Sequence, residues 1–276
     1  AGALPWSASM GPDVADMGTG IFWAAFALFG ATTGSILSGA VIERIRVSAF
    51  LILTVFLGSA IWILAGAWGW HPEGWLLTDL GYYDVGASCV VHAVAVFFTL
   101  GVLINLGARK GKFIYGVAQT IAPHSLPMTL IGLMMIIFGF FGFLGGCIIF
   151  NGGETGWTTI YNNPTNLSAF AFNTLMGFAG GIIGCYIATR DPFWTMSGGL
   201  VGIISVAAGL DLYSPSLAFI IATCMGFAAV MFAKLLEKQG IDDAVGAVSV
   251  HGFTGFVAVI LVGVFAGGTP NVGGNP

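Results

Sequence analysis

Two histidines, His92 and His251, each follow an aspartate by eight residues in closely similar runs, DVGASCVVH (84–92) and DAVGAVSVH (243–251). Each run leads into a long apolar stretch, where an imidazole is costly to bury and so calls for a reason. Neutral imidazoles donate and accept hydrogen bonds, and an ordinary pKa near ~6.5 lets them pass protons. A matched pair could therefore line a path for a hydrogen-bonding molecule or relay a proton. Two other readings stand beside this one. Each histidine could be a packing residue bonded to a neighbouring carbonyl. Alternatively Cys89, on one helix face with His92 at i, i+3, could join His251 in a zinc or copper site. No second Cys-x-x-His or His-x-x-x-His follows, and a mid-membrane thiolate would need its metal already in place, so no metal centre is expected.

The elements that carry these residues are set by composition. Of 276 residues, 57% are hydrophobic and 7% charged, with a mean hydropathy of +0.95, and 43 are glycine. Soluble domains of ordinary composition do not reach such values, and the apolar runs are continuous instead of alternating. The fold class is therefore an all-α integral membrane bundle, multi-pass in the cell membrane. Eight spans are predicted at 20–42, 48–69, 85–108, 125–150, 166–189, 193–210, 214–233 and 244–267. They form a single membrane domain over 1–276, with 1–16 an external segment and 268–276 an external tail. The four cysteines sit in apolar runs without a CxxC pair and read as packed thiols.

All eight basic residues fall between alternate pairs of spans: Arg44 and Arg46, Arg109 with Lys110 and Lys112, Arg190, and Lys234 with Lys238. The positive-inside rule makes those loops cytoplasmic. The opposite loops carry Asp13, Asp16, Glu73, Asp79, Asp84, Glu154 and Asp211 without a Lys or Arg, an arrangement that concentrates cations or merely solvates the loops. With this sidedness the third span runs inward from Asp84 and the eighth outward from Asp243. Each histidine would lie ~12 Å along its helix, near the midplane, and inverted repeats with a midplane site are a recurring transporter design. Small residues at four-residue spacing, as in Gly177/Gly181 and Gly198/Gly202, predict close helix packing.

Five segments in order, GAVIERIRVSAF with the preceding Gly39, DVGASCVVH, PHSLPMTLIG, FGFFGFLGG and DDAVGAVSVHG, resemble the ammonium transporter (Amt/Mep/Rh) family, its Amt branch in particular. The resemblance implies a homotrimer with one narrow pore per subunit for ammonium or ammonia, surrounded by membrane lipid. It also implies a cytoplasmic regulator, no cofactor, no enzyme activity and no nucleic-acid partner. Within it, His92 and His251 match the twin pore histidines, and Phe29 and Phe143 the stacked phenylalanine gate. Trp70 matches the external aromatic that cradles the cation, with Cys147 and Asp84 completing the external site. Trp70 would hold ammonium by cation–π attraction, the gate would exclude the hydrated ion, and ammonia would pass along the histidines.

Three positions depart from the family pattern. Cys147 replaces a small hydroxyl residue, Leu144 an asparagine, and Gly246 an aspartate, which makes a non-conducting ammonium sensor an alternative. The resemblance also aligns the chain from the family's third helix to before its last, leaving eight spans of a usual eleven. A structural subunit of a larger membrane assembly is therefore a further alternative, and an intramembrane metalloenzyme the remotest.

Overall fold

A computed structural model describes residues 17–150 and 156–266, with side chains from Trp23 onward. The segments 1–16 and 268–276, with Asp13, Asp16 and Glu154, lie outside the described residues. The helices are α1 (Met17–Val41), α2 (Val47–Gly69), α3 (Trp75–Leu80), α4 (Ser88–Leu106), α5 (Leu126–Gly145), α6 (Leu167–Thr189), α7 (Pro192–Ala207), α8 (Pro215–Lys238) and α9 (Val248–Phe265). Their starts carry ordinary signals. Asn166, Asp191 and Ser214 accept from the backbone N–H three residues on, and Pro192 and Pro215 occupy first-turn positions where a missing N–H costs nothing.

Among the described residues, seven helices are long and apolar enough to cross a membrane, which makes this a multi-pass membrane protein. The remaining expected span, 193–210, is the 16-residue α7. Every residue from Ser197 to Ala207 is buried, so α7 is shielded by its neighbours α6 and α8 along its inner length. The packing there is backbone against backbone: a Cβ on Gly202 would collide with the Gly177 carbonyl, and one on Gly181 with that of Gly198.

Three boundaries correct the sequence reading. The span expected at 125–150 stops at Gly145, because Ile148–Phe150 (β3) pairs antiparallel with Trp157–Thr159 (β4), which pairs in turn with Pro164–Thr165 (β5). A second small ribbon joins Phe113–Ile114 (β1) to Val117–Ala118 (β2). The spans expected from 85 and 244 begin at Ser88 and Val248 instead, since the preceding residues are loops that descend into the protein before the helices start. The ~12 Å helical rise from aspartate to histidine is therefore wrong: each histidine sits in the opening turns of its helix.

The four basic clusters gather at one end, although Lys234 and Lys238 ride on the last turns of α8, which runs to Lys238 and not to the expected 233. Arg44 and Arg109 both bond Asp242, Lys112 bonds Glu237, and Thr189 and Asp191 beside Arg190 line a cleft with Lys112 and Lys234. Trp70, Asp84, Tyr161 and Asp211 gather with their neighbours around the loops of the opposite end. The basic end is the inner end of the molecule by the charge rule, and the opposite end the outer one.

Candidate functional site

Asp84 and Asp243 explain where the two histidine helices begin. The Asp84 carboxylate is wholly buried and accepts from the N–H groups of Ser88 (2.7 Å), Cys89 (2.7 Å) and Val90 (2.9 Å), with the Tyr82 hydroxyl as a fourth donor at 3.1 Å. Burial raises its pKa, and the backbone donors oppose that. Asp243 accepts from Val248 N at 2.5 Å, and burial pushes its carboxyl up to about 6. Each aspartate is thus the N-terminal cap of a helix whose first turn is π-helical, spanning Ser88–Ala93 and Val248–Phe253. Such turns are uncommon and recur at functional sites. Three residues after each aspartate the chain is left-handed, at Ala87 (φ 69°) and Gly246 (φ 73°). The inverted repeat therefore extends to individual backbone torsions.

These openings bring the imidazoles together. His92 and His251 approach Nδ1 to Nδ1 at 3.1 Å, with ring centroids 5.2 Å apart and planes 18° from parallel. Both line one cavity of about 530 Å³ whose other walls come from α1, α5 and α7 and are largely apolar. His92 is buried, stacks on Phe140 at 6.0 Å, and leaves Nε2 without a partner. Phe143 lines the same cavity and meets Phe29 at 4.5 Å. The two rings stand edge to face at 73°, not in a parallel stack. Among the described residues no three His, Cys, Asp or Glu side chains gather to hold a metal.

Beyond Phe29 lies Trp70, 4% exposed, with its ring 5.3 Å from Phe29 and 4.9 Å from Phe26. Its indole N–H donates to the Asp84 carbonyl at 2.8 Å. Cys147 is buried in the turn after α5, its thiol 3.6 Å from the Phe143 carbonyl. Its backbone carbonyl accepts from Ile160 N at 3.1 Å, which ties the turn to the β3–β5 sheet. Leu144 is buried among the core residues of α7, and a Cβ on Gly246 would stand 2.7 Å from the Trp194 ring. The aspartate expected there from the resemblance would meet this ring and the left-handed torsion of Gly246 (φ 73°) in this chain.

Several participants escaped the sequence reading. Tyr161 donates to the Gly69 carbonyl (3.2 Å) and accepts from Asp84 N (3.2 Å), clamping the end of α2 to the loop before α4. Tyr83 donates to Asp211, whose carboxyl burial pushes up to about 6. At the inner end Asp242 receives Arg44 (2.7 Å) and Arg109 (2.9 and 3.0 Å). Burial works against its ionised form, but the hydrogen bonds and charge of Arg109 and the charge of Arg44 hold its carboxyl below the ordinary range. Only the Tyr82-Tyr83-Asp84 and Asp242-Asp243 runs hinted at these networks.

The fold and site define an inverted-repeat membrane protein with a buried histidine pair. A model of the Ammonium Transporter Family matches residues 6–275, so the chain belongs to that family, a family of transport proteins and not of enzymes. It is 32% identical over 241 residues to ammonium transporter Amt2 of Methanocaldococcus jannaschii, covering 86% of this chain and 53% of that one. It is also 32% identical over 284 residues to the ammonium transporter of Bacillus subtilis, covering 99% and 66%. Such relatives place it in the Amt branch, and the chain spans about half the length of most curated relatives it matches. Among solved structures, a protein titled Sensor Amt Protein superposes with a TM-score of 0.77 at 26% identity, over 86% of this chain and 59% of that one. Candida albicans Mep2, at 22% identity and a TM-score of 0.72, shares the fold.

Proposed function

We propose that this chain forms the pore of an ammonium transporter, in which ammonia crosses along His92 and His251 after the cation is recruited at the outer end. The observation that carries the reading is the 3.1 Å histidine contact inside one apolar cavity, next to the Phe29–Phe143 constriction. Ammonium and potassium share charge and have similar size, so a passage separates them by hydrogen bonding and deprotonation, not by diameter. Trp70 supplies a cation–π face worth roughly 0.5–2 kcal/mol, and Asp84 and Cys147 fix the turns around it. An ion entering the phenylalanine constriction loses its hydration, while neutral ammonia loses far less. Beyond the constriction the imidazole nitrogens offer hydrogen bonds in an otherwise apolar path.

The working unit in this proposal is a homotrimer in lipid, with a cytoplasmic regulator at the basic end. The test is ammonium-evoked current in proteoliposomes for the parent, His92→Ala and His251→Ala proteins. Currents that both variants leave unchanged would overturn the proposal.

A sensor is the second reading. It is favoured by the likeness to the Sensor Amt Protein and by Cys147, whose thiol is a weak hydrogen-bond partner at the outer end. Ammonium binding without current decides for it.

A further inference from the structure

The two halves of the inverted repeat differ in one chemical respect. At the outer end the Asp84 carboxylate is saturated by three backbone N–H groups and the Tyr82 hydroxyl. At the inner end Asp243 caps its helix through Oδ2, and its Oδ1 is buried without a partner. The Ser249 hydroxyl is also unpartnered, on a residue that is 0% exposed. Both residues line a cleft of about 260 Å³ at the basic end, together with the Trp194 ring that packs on Gly246.

The other charged groups of that cleft are mostly engaged. Arg109 is bound by Asp242 and Glu43, Lys112 by Glu237 and the Gln119 carbonyl, and Asp191 by the N–H of Trp194 at the start of α7. Lys234 is a third cation, besides Arg109 and Lys112, that lines it. Unmet capacity thus concentrates on two oxygens beside an indole. That combination suits a small cation that donates several hydrogen bonds, which an alkali ion cannot do. Phe193 lines both this cleft and the histidine cavity, so the cleft adjoins the inner end of the cavity.

We propose that Asp243, Ser249 and Trp194 form an inner ammonium site, the inverted counterpart of the outer one, where ammonia leaving the histidines takes a proton from the water of the inner end and is held as the cation. The proposal rests on the transport reading for its ligand, and its test does not use transport. Methylammonium binding to the detergent-solubilised full chain is followed by ligand-observed NMR in a Trp70→Leu background, which removes the outer aromatic. Binding persists there, and adding Ser249→Ala weakens it about tenfold, the scale of a hydrogen bond to a charged group. Asp243→Asn keeps a capping oxygen, removes the charge and weakens binding further, while a thermal melt checks that the helix start survives.

Binding unaltered by Ser249→Ala, or lost already with Trp70→Leu, overturns the inner site. So does displacement by sodium as effective as that by ammonium. Loss of current in the histidine variants bears on the pore alone, so the two readings fail separately.

Discussion

The Nδ1 atoms of His92 and His251 stand 3.1 Å apart, a separation at which one must donate and the other accept. A neutral pair therefore holds one proton between the facing nitrogens. The donor ring then presents a bare Nε2 and the acceptor ring an Nε2–H. One ring can accept a hydrogen bond from a passing molecule while the other donates one. Reversing these roles takes two proton movements, the shared proton crossing between the Nδ1 atoms while one Nε2 loses a proton and the other gains one, as a passing hydrogen-bonding molecule could arrange.

Because the rings act as a unit, single and double removals should not add. His92→Ala and His251→Ala each lower ammonium current at least ~10-fold, and the double variant loses about as much as either alone. Additive losses in proteoliposome currents would mean that the rings work independently.

Phe143 touches both Phe29 and the histidine cavity, and in the proposed pore its removal would widen the way between them. Phe143→Ala should admit potassium while retaining ammonium current, since the desolvation barrier falls for every ion. Potassium-evoked current in the same vesicles provides the measurement.

Ala87 and Gly246 occupy equivalent left-handed positions with opposite fitness for them. Ala87→Gly should stabilise the protein by up to about 1 kcal/mol by relieving the Cβ strain. Gly246→Ala should destabilise it by about 2 kcal/mol or more, adding a clash with Trp194 to the same strain. Melting temperatures in detergent should move in opposite directions.

Asp242 joins three loops through Arg44 and Arg109, and its side chain is fully buried. Asp242→Asn leaves two guanidinium groups short of their counter-charge and should cost about 3 kcal/mol or more. Denaturation in detergent would show it, with the largest effect on protection of the loop before α9.

Asp211 holds its proton more tightly folded than unfolded, its pKa raised from 3.8 to about 6 by burial. The stabilisation is complete below the unfolded value and is lost as pH rises through the folded one. Asp243 acts in the same sense. The melting temperature of the parent should fall between about pH 4 and about pH 6, and that of Asp211→Asn should fall less.

The spans, the alternation of basic loops and the histidine pair were legible because each is written in local sequence: apolar length, charge placement and a repeated run. Asp84 and Asp243 were legible as a pair but not as caps, since the descent of their loops depends on left-handed torsions at Ala87 and Gly246. The former is an alanine that sequence gives no reason to suspect. The β3–β5 sheet was hidden because Ile148–Phe150 continues the apolar run of α5. Tyr161 and Asp242 were missed because their partners lie far away in the chain, at Asp84 and at Arg44 and Arg109. Gly246 looked like a loss of function from its residue type, and only its closeness to Trp194 supplies a structural cause.

The glycine contacts between α6 and α7 carry a mechanical consequence for the cavity beside them. Helices locked carbonyl to Cα have no room to slide, so that wall acts as a fixed anvil. Another wall is α5, where Gly132, Gly139 and Gly142 meet no neighbour within 4 Å, Gly132 and Gly139 because they line the cavity itself. A Cβ at those two glycines would fill the cavity from the α5 side, beside Phe140 and Phe143, whereas the α7 wall is fixed.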